Sequence, residues 1–290
     1  MLKLSIVIPV YNEENSIEEV ILELKKSLNK IECEYEIIVV DDGSTDRTGE
    51  IVEKLDVKVF HHPVNAGYGQ ALLTGINSAQ YEYVATIDGD GSYSVDDIIK
   101  LLNEAQNFDL VIGARKGKNF WGNLIKHPAR IIFLYLAEFT VGQKIPDVNS
   151  GLRIFKKSCF PQIDKPLLCK GFSFSSTMTL SFLANGMFVK FVPIKYFSRK
   201  GKSKVNYIRD TLRTLQVLIE VITYYNPLKI ILLFCCIPGF CFFIFLILYF
   251  ITKNQWYNLL ALISFYTVFL FFIIGLILDL IRLKFPANKL

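Results

Sequence analysis

The strongest constraint on this 290-residue chain lies near its C-terminus, where two long runs carry no charge at all. Ile230 to Ile251 is rich in Leu, Ile and Phe, and Gln255 to Leu278 repeats the pattern. A bilayer core needs about 20 apolar residues in a helix, so each run is long enough to span. Both are apolar on every face, which separates them from the one-sided helices of a water-soluble core. Pro238-Gly239 in the first run is tolerable in lipid, where neighbouring groups re-satisfy a kinked backbone. The joining loop, Thr252 to Trp256, is short enough to make the pair a hairpin, with spans expected at about 230–251 and 257–280. Lys229 precedes the hairpin, and Arg282, Lys284 and Lys289 follow it. The positive-inside tendency then puts both flanks, and the region before them, in the cytosol. Met1-Leu2-Lys3 leads straight into a strand-like run, so no signal peptide is expected.

The first 227 residues are near neutral, with 27 basic and 26 acidic side chains, so no nucleic-acid partner is expected. Cys33, Cys159, Cys169, Cys235, Cys236 and Cys241 show no metal-ligand spacing with histidine and read as packing residues. In this region short apolar runs alternate with helical periodicity. Leu4 to Val10, Glu36 to Val40, Val57 to His61, Tyr83 to Ile87 and Leu110 to Ile112 read as strands. Helices are expected from a capping-box-like Asn15/Glu18 start, then over Thr45–Leu55, Gly69–Ala79 and Asp96–Gln106. Such alternation implies an α/β, doubly wound, mostly parallel sheet, whose ligands gather beyond the carboxyl ends of its strands. Polar clusters sit at those ends: Tyr11-Asn12-Glu13, Asp41-Asp42 and Asp88-Gly89-Asp90.

Residues 123–139 read as a broadly apolar helix, and Ile208 to Ile222 as a cleaner amphipathic one with Leu212, Leu215 and Ile219 on its apolar side. Both suit a membrane interface. The expected layout is a globular domain over 1–204, a juxtamembrane helix over 205–227 and a membrane domain over 228–290.

Two acids flanking one glycine at a strand end can both face a cleft, and carboxylates together with diphosphate oxygens are the usual cage for Mg²⁺ or Mn²⁺. A polar turn is the bland reading of Asp88-Gly89-Asp90, since Asp and Gly are good turn formers. Asp41 and Asp42 can accept hydrogen bonds from a base or ribose; the bland reading of this segment is a helix N-cap at Ser44 or Asp46, and both can hold together. No G-x-G-x-x-G follows the first strand and no G-x-x-x-x-G-K-[ST] occurs anywhere, against a dinucleotide oxidoreductase and a P-loop nucleotidase.

Taken in order, SIVIPVYNEE (5–14), DDGSTD (41–46), NAGYG (65–69), DGDG (88–91), GAR (113–115) and DVNSGLR (147–153) resemble the family 2 glycosyltransferases. The nearest branch is the dolichyl- and polyprenyl-phosphate glycosyltransferases, of dolichyl-phosphate mannose synthase and bactoprenol glucosyltransferase type. The resemblance implies a GT-A fold and a nucleotide pocket made by Pro9, Tyr11, Glu13, Asp41, Asp42 and Asp88. It implies a divalent metal, Mg²⁺ or Mn²⁺, on Asp88 and Asp90, with Ser92 at the position of a further ligand. Asp90, Asp147 and Arg153 match the catalytic segments, and Arg115, Arg130, Arg199 and Lys204 match cations that approach the lipid phosphate. The donor implied is a UDP- or GDP-linked sugar, and the acceptor a polyprenyl phosphate in the membrane. Relatives of this type suggest a tetramer and a bacterial inner-membrane location.

Two positions depart from the family pattern. GFSFSSTM (171–178) lacks the acids that often follow G-F-x-F, and Leu134 stands where a serine often follows the arginine matched by Arg130. A processive polysaccharide synthase would carry a Q-x-x-R-W motif, which is absent. A membrane-anchored nucleotide-sugar binder is the non-enzymatic alternative, against which the intact acidic pairs argue.

Overall fold

The structure, a computed structural model, describes residues 2–31, 33–117, 127–163, 168–171, 173–199 and 207–284; the side chains of 127–130, 132, 207–211 and 214 are not described. The chain divides into two compact units, Met1–Val217 and Leu218–Leu290.

Among the described residues the first unit is built on seven strands: β1 (Leu2–Val10), β2 (Cys33–Asp41), β3 (Lys58–His61), β4 (Tyr83–Thr86), β5 (Leu110–Lys116), β6 (Arg153–Lys156) and β7 (Val189–Lys195). Their order is β3-β2-β1-β4-β6-β5-β7. All neighbours pair in parallel except β6, which runs antiparallel to both β4 and β5. The apolar runs of β1 and β2 are continuous because both faces are covered. Leu4, Ile6 and Ile8 pack with α1 (Ile17–Leu28) and α4 (Asp96–Ala105), while Val7, Ile38 and Val40 pack with α3 (Tyr68–Ser78) on the opposite face. Alternation of side chains along a strand makes that division inevitable.

Two expected helix starts shift, each for a local reason. The α1 helix opens after Ser16 with no side-chain cap, since the Ser16 hydroxyl donates to the Gly89 carbonyl (2.8 Å) instead. The helix expected over Thr45–Leu55 is α2, Thr48–Glu53. Its would-be first turn is unwound because the Asn12 side chain accepts from the Thr45 amide at 2.7 Å and Asp41 from the Ser44 amide at 3.0 Å. Of the helix read over 123–139, residues 123–126 lie outside the described residues, and the described part is α5, His127–Val141. Periodicity did not reveal β6, β7 or the buried helix α6 (Phe174–Ala184), whose apolar residues face every direction.

The amphipathic helix α7 covers Tyr207–Tyr225 and crosses the division between the units. In the second unit, α8 (Pro227–Thr252) and α9 (Gln255–Lys284) are long and apolar enough to cross a bilayer, with mean hydropathy 3.0 and 2.6. Asn226 caps α8 by accepting from the Lys229 amide (3.1 Å), with Pro227 at the first helical position, where a missing N–H costs nothing. Gly275 lets α9 approach Leu228 and Ile231 of α8, and the Arg282 guanidinium donates to the Tyr225 carbonyl.

Candidate active site

Sheet register gathers the motifs. Val10 lies beside Asp41, Val7 beside Thr86, and Thr86 and Ile112 both beside Arg153. The carboxyl ends of β1, β2, β4 and β5 therefore share one edge with the start of antiparallel β6, and residues 11–13, 41–46, 88–92, 115 and 147–153 collect there.

The first two loops lock together. The Asn12 amide donates to the Ser44 hydroxyl (2.9 Å) and the Glu13 amide to the Thr48 hydroxyl (2.8 Å). Asp41 and Asp42 are buried and already engaged. Asp41 meets His61 Nδ1 at 3.1 Å. Asp42 meets His62 Nδ1 at 2.7 Å and accepts from the Ala66 and Gly67 amides at 2.9 and 2.8 Å. His62 also reaches the Thr74 hydroxyl at 3.0 Å. The Asp42 carboxylate thus shapes the loop that begins α3, where Gly67 adopts a φ of 102° that a side chain would disfavour. Pro9 is buried in β1; Tyr11 and Glu13 are partly exposed just beyond it.

Asp88 and Asp90 follow β4. Burial and the neighbouring Asp90 charge lift Asp88 from the usual carboxylate range to about 6, against the opposing pull of Tyr68, Arg115 and Arg199. Asp90 accepts from the Ser92 amide (3.0 Å) and faces Arg199 Nη2 at 3.6 Å. The Ser92 side chain is fully enclosed, and its hydroxyl has no hydrogen-bond partner among the described residues. Two neighbouring carboxylates, one of which raises the proton affinity of the other, favour a shared cation, and oxygen donors suit a hard divalent one. No group of three or more His, Cys, Asp or Glu side chains suited to a metal occurs among the described residues. A pair completed by substrate oxygens is a common Mg²⁺ arrangement, so the donor set fits.

Asp147 is 3% exposed and receives Arg115 Nε at 2.7 Å, Arg115 Nη2 at 3.0 Å, and the Arg115 and Asn149 amides at 3.1 Å each. The Arg115 guanidinium also stacks 5.2 Å from the Tyr196 ring centre, and that ring meets Tyr93 edge-on at 5.4 Å. Arg153, 1% exposed, donates to the carbonyls of Ser150 and Ser175, leaving its Nε unpartnered among the described residues. Burial holds its pKa below the ordinary arginine value. It acts here as an internal brace for the 150–153 turn rather than as a surface cation. Arg130 lies on α5, but its side chain is outside the described set; Lys204 lies outside the described residues.

Motif reading overlooked three tyrosines. Tyr68 donates to Asp88 Oδ1 at 2.8 Å, Tyr93 accepts from the Gly151 amide at 2.8 Å, and Tyr196 carries Arg115. Tyr68 lies in the NAGYG segment without a role assigned from it, and Tyr93 and Tyr196 lie in no quoted motif; the fold brings the three together from the start of α3 and from the segments after β4 and β7.

With this geometry in hand, the chain can be set beside known proteins. Residues 5–163 match the family described as Glycosyl transferase family 2. The chain is 29% identical over 218 residues to polyprenol monophosphomannose synthase of Mycolicibacterium smegmatis, covering 69% of this chain and 80% of that one. It is 28% identical over 229 residues to undecaprenyl-phosphate 4-deoxy-4-formamido-L-arabinose transferase of Pseudomonas fluorescens, covering 76% of this chain but only 64% of that relative's length. Among solved structures, glucosyl-3-phosphoglycerate synthase from Mycobacterium tuberculosis shares the fold, with a TM-score of 0.63 at 19% identity, over 76% of this chain and 80% of that one. A further structure of that synthase holds Mn²⁺, UDP and glucosyl-3-phosphoglycerate. The match across residues 5–163 and the shared architecture show that the chain belongs to glycosyl transferase family 2, as a glycosyltransferase of GT-A fold.

Proposed function

We propose that the enzyme transfers one sugar from a nucleotide diphosphate sugar to a polyprenyl monophosphate held at a membrane surface, with inversion at the anomeric carbon. One observation carries the reading. Along a single sheet edge, a pair of carboxylates, Asp88 and Asp90, adjoins arginines at 115 and 199, so opposite charges are arranged for two phosphate-bearing substrates. The relatives named for undecaprenyl-phosphate and polyprenol substrates supply the acceptor class. The helices α8 and α9 supply a means of keeping the domain where such an acceptor lies. Leu212, Leu215 and Ile219, exposed along α7, suit an interfacial helix. The basic flanks of the hairpin favour a catalytic unit on the cytosolic side, in a bacterial inner membrane.

Asp88 and Asp90 would hold Mg²⁺ or Mn²⁺, whose charge when bound favours departure of the nucleoside diphosphate. The loops at Tyr11–Glu13 and Asp41–Asp42 bound the nucleoside side of the cleft. The acceptor phosphate has a second pKa near 6, roughly, so its attacking oxygen is largely deprotonated at neutral pH. A strong general base is unnecessary, and Asp147, already accepting four hydrogen bonds, serves orientation: it fixes the Arg115 fork. Arg115 and Arg199 draw the acceptor phosphate towards the donor, and holding both reactants in one cleft supplies much of the rate gain. Attack by the phosphate oxygen opposite the leaving diphosphate gives a sugar joined through a single phosphate. The test is full-length protein in liposomes with undecaprenyl phosphate, Mn²⁺ and a panel of UDP- and GDP-sugars, the lipid product being weighed by mass spectrometry. One added sugar is expected, lost in Asp90→Ala while the protein still inserts. A polymer product, or donor binding without turnover, would overturn the reading.

A further inference from the structure

Asp88 is confined from two sides by groups that lie in the NAGYG (65–69) and DVNSGLR (147–153) segments but carry no role from sequence. Tyr68, the first residue of α3, donates its hydroxyl to Oδ1 at 2.8 Å. On the other flank lies the backbone of Gly151. A Cβ there would fall 2.5 and 2.6 Å from the two carboxylate oxygens, so glycine is required by the space Asp88 occupies. Gly151 is itself pinned: its amide donates to the Tyr93 hydroxyl (2.8 Å) and its carbonyl accepts from the Thr86 hydroxyl (2.7 Å). The Arg153 guanidinium holds the Ser150 carbonyl next door. The Tyr68 end is equally fixed, since the Asp42 carboxylate takes the Gly67 amide immediately before it.

We infer that Tyr68, working against the pinned backbone of Gly151, is a positioning residue that holds the Asp88 carboxylate in the orientation needed to ligate a divalent cation. The inference rests on the reading of Asp88 and Asp90 as the cation pair. One carboxylate oxygen is engaged by Tyr68 and the group is barred from swinging towards Gly151, so its remaining lone pairs keep a set direction before any ligand arrives. Hydrogen-bond partners of this kind typically change metal affinity by about 10- to 100-fold.

The test is Mn²⁺ binding to the purified full-length protein in detergent with UDP present, read as loss of the free-ion EPR signal. Tyr68→Phe keeps the ring and removes only the hydroxyl; it is expected to weaken Mn²⁺ binding about 10-fold with little change in thermal midpoint. Gly151→Ala, which pushes on the carboxylate directly, is expected to weaken it at least as much. Tyr81→Phe, whose hydroxyl meets Glu34 at the surface, serves as the unaffected control. Wild-type affinity in Tyr68→Phe, or a lowered melting temperature without a change in affinity, would overturn the inference while leaving the proposed transfer standing. Absence of saturable Mn²⁺ binding in the wild type, or its survival in Asp88→Asn, would overturn both.

Discussion

Consider replacing Asp147 by Asn. The native carboxylate is almost fully enclosed and takes two guanidinium hydrogen bonds from Arg115, at 2.7 and 3.0 Å, besides two backbone amides. Asn keeps the shape but loses the charge and one acceptor, leaving a largely buried guanidinium without its counter-ion. Removing one partner of a buried pair costs about 3–5 kcal/mol. Retention of one acceptor puts Asn near the lower end, at about 3 kcal/mol. At roughly 2–4 °C per kcal/mol for a domain of this size, the thermal midpoint should fall by about 6–12 °C. Arg115→Met alone should cost a similar amount. The double variant Arg115→Met/Asp147→Leu should cost much less than the two single changes together, because neither charge is then stranded. Transfer should fail in all three. Thermal unfolding across this cycle, with transfer measured in parallel, decides the matter. Additive destabilisation would refute the pairing argument. A wild-type midpoint in Asp147→Asn together with a collapsed kcat would refute the orienting role and point to proton transfer by Asp147.

Two further outcomes follow from the same edge of the sheet. Asp88 titrates near 6 in the folded protein and near 3.9, roughly, in an unfolded chain, so the native state binds this proton more tightly. Cation-free protein should therefore gain stability from Asp88 as pH falls from about 6.5 towards 4, and lose it as pH rises through 6; chelator-treated melts of wild type and Asp88→Asn, with a flatter profile expected for the variant, check the sign. His62→Ala strips a partner from both Asp42 and Thr74. It should cost about 1–3 kcal/mol and raise the KM for the nucleotide sugar by loosening the Ala66–Gly67 loop, as donor-concentration kinetics would reveal.

Much of this protein is written in local pattern. The β-branched run of β1, the spacing of Ile17, Val20, Ile21, Leu24 and Leu28 on α1, and the apolar length of α8 and α9 are near-neighbour properties, and each element appears within a few residues of where periodicity puts it. The ordered motifs from residue 5 to residue 153 were sufficient to indicate the family and the GT-A fold. Reading failed where long-range contact overrides a local preference. Asn12 unwinds the first turn expected of α2, and the helix expected from an Asn15/Glu18 start opens after Ser16, whose hydroxyl goes to Gly89. The α6 helix has no polar face to announce it because the packed core surrounds it, and β6 is a four-residue strand recognisable only by its partners.

The division holds within the site as well. Linear order was enough to nominate Asp88, Asp90, Arg115, Asp147 and Arg153, because their chemistry is carried in short stretches. What each carboxylate or guanidinium touches was decided by the reversal of β6, which carries residues 147–153 back across the ends of β4 and β5. That reversal joins Asp147 to Arg115, encloses Arg153 and sets Gly151 against Asp88. Residue type and spacing specify which charges are available. Burial and partnership depend on strand pairing between segments more than 30 residues apart, and no local pattern encodes that.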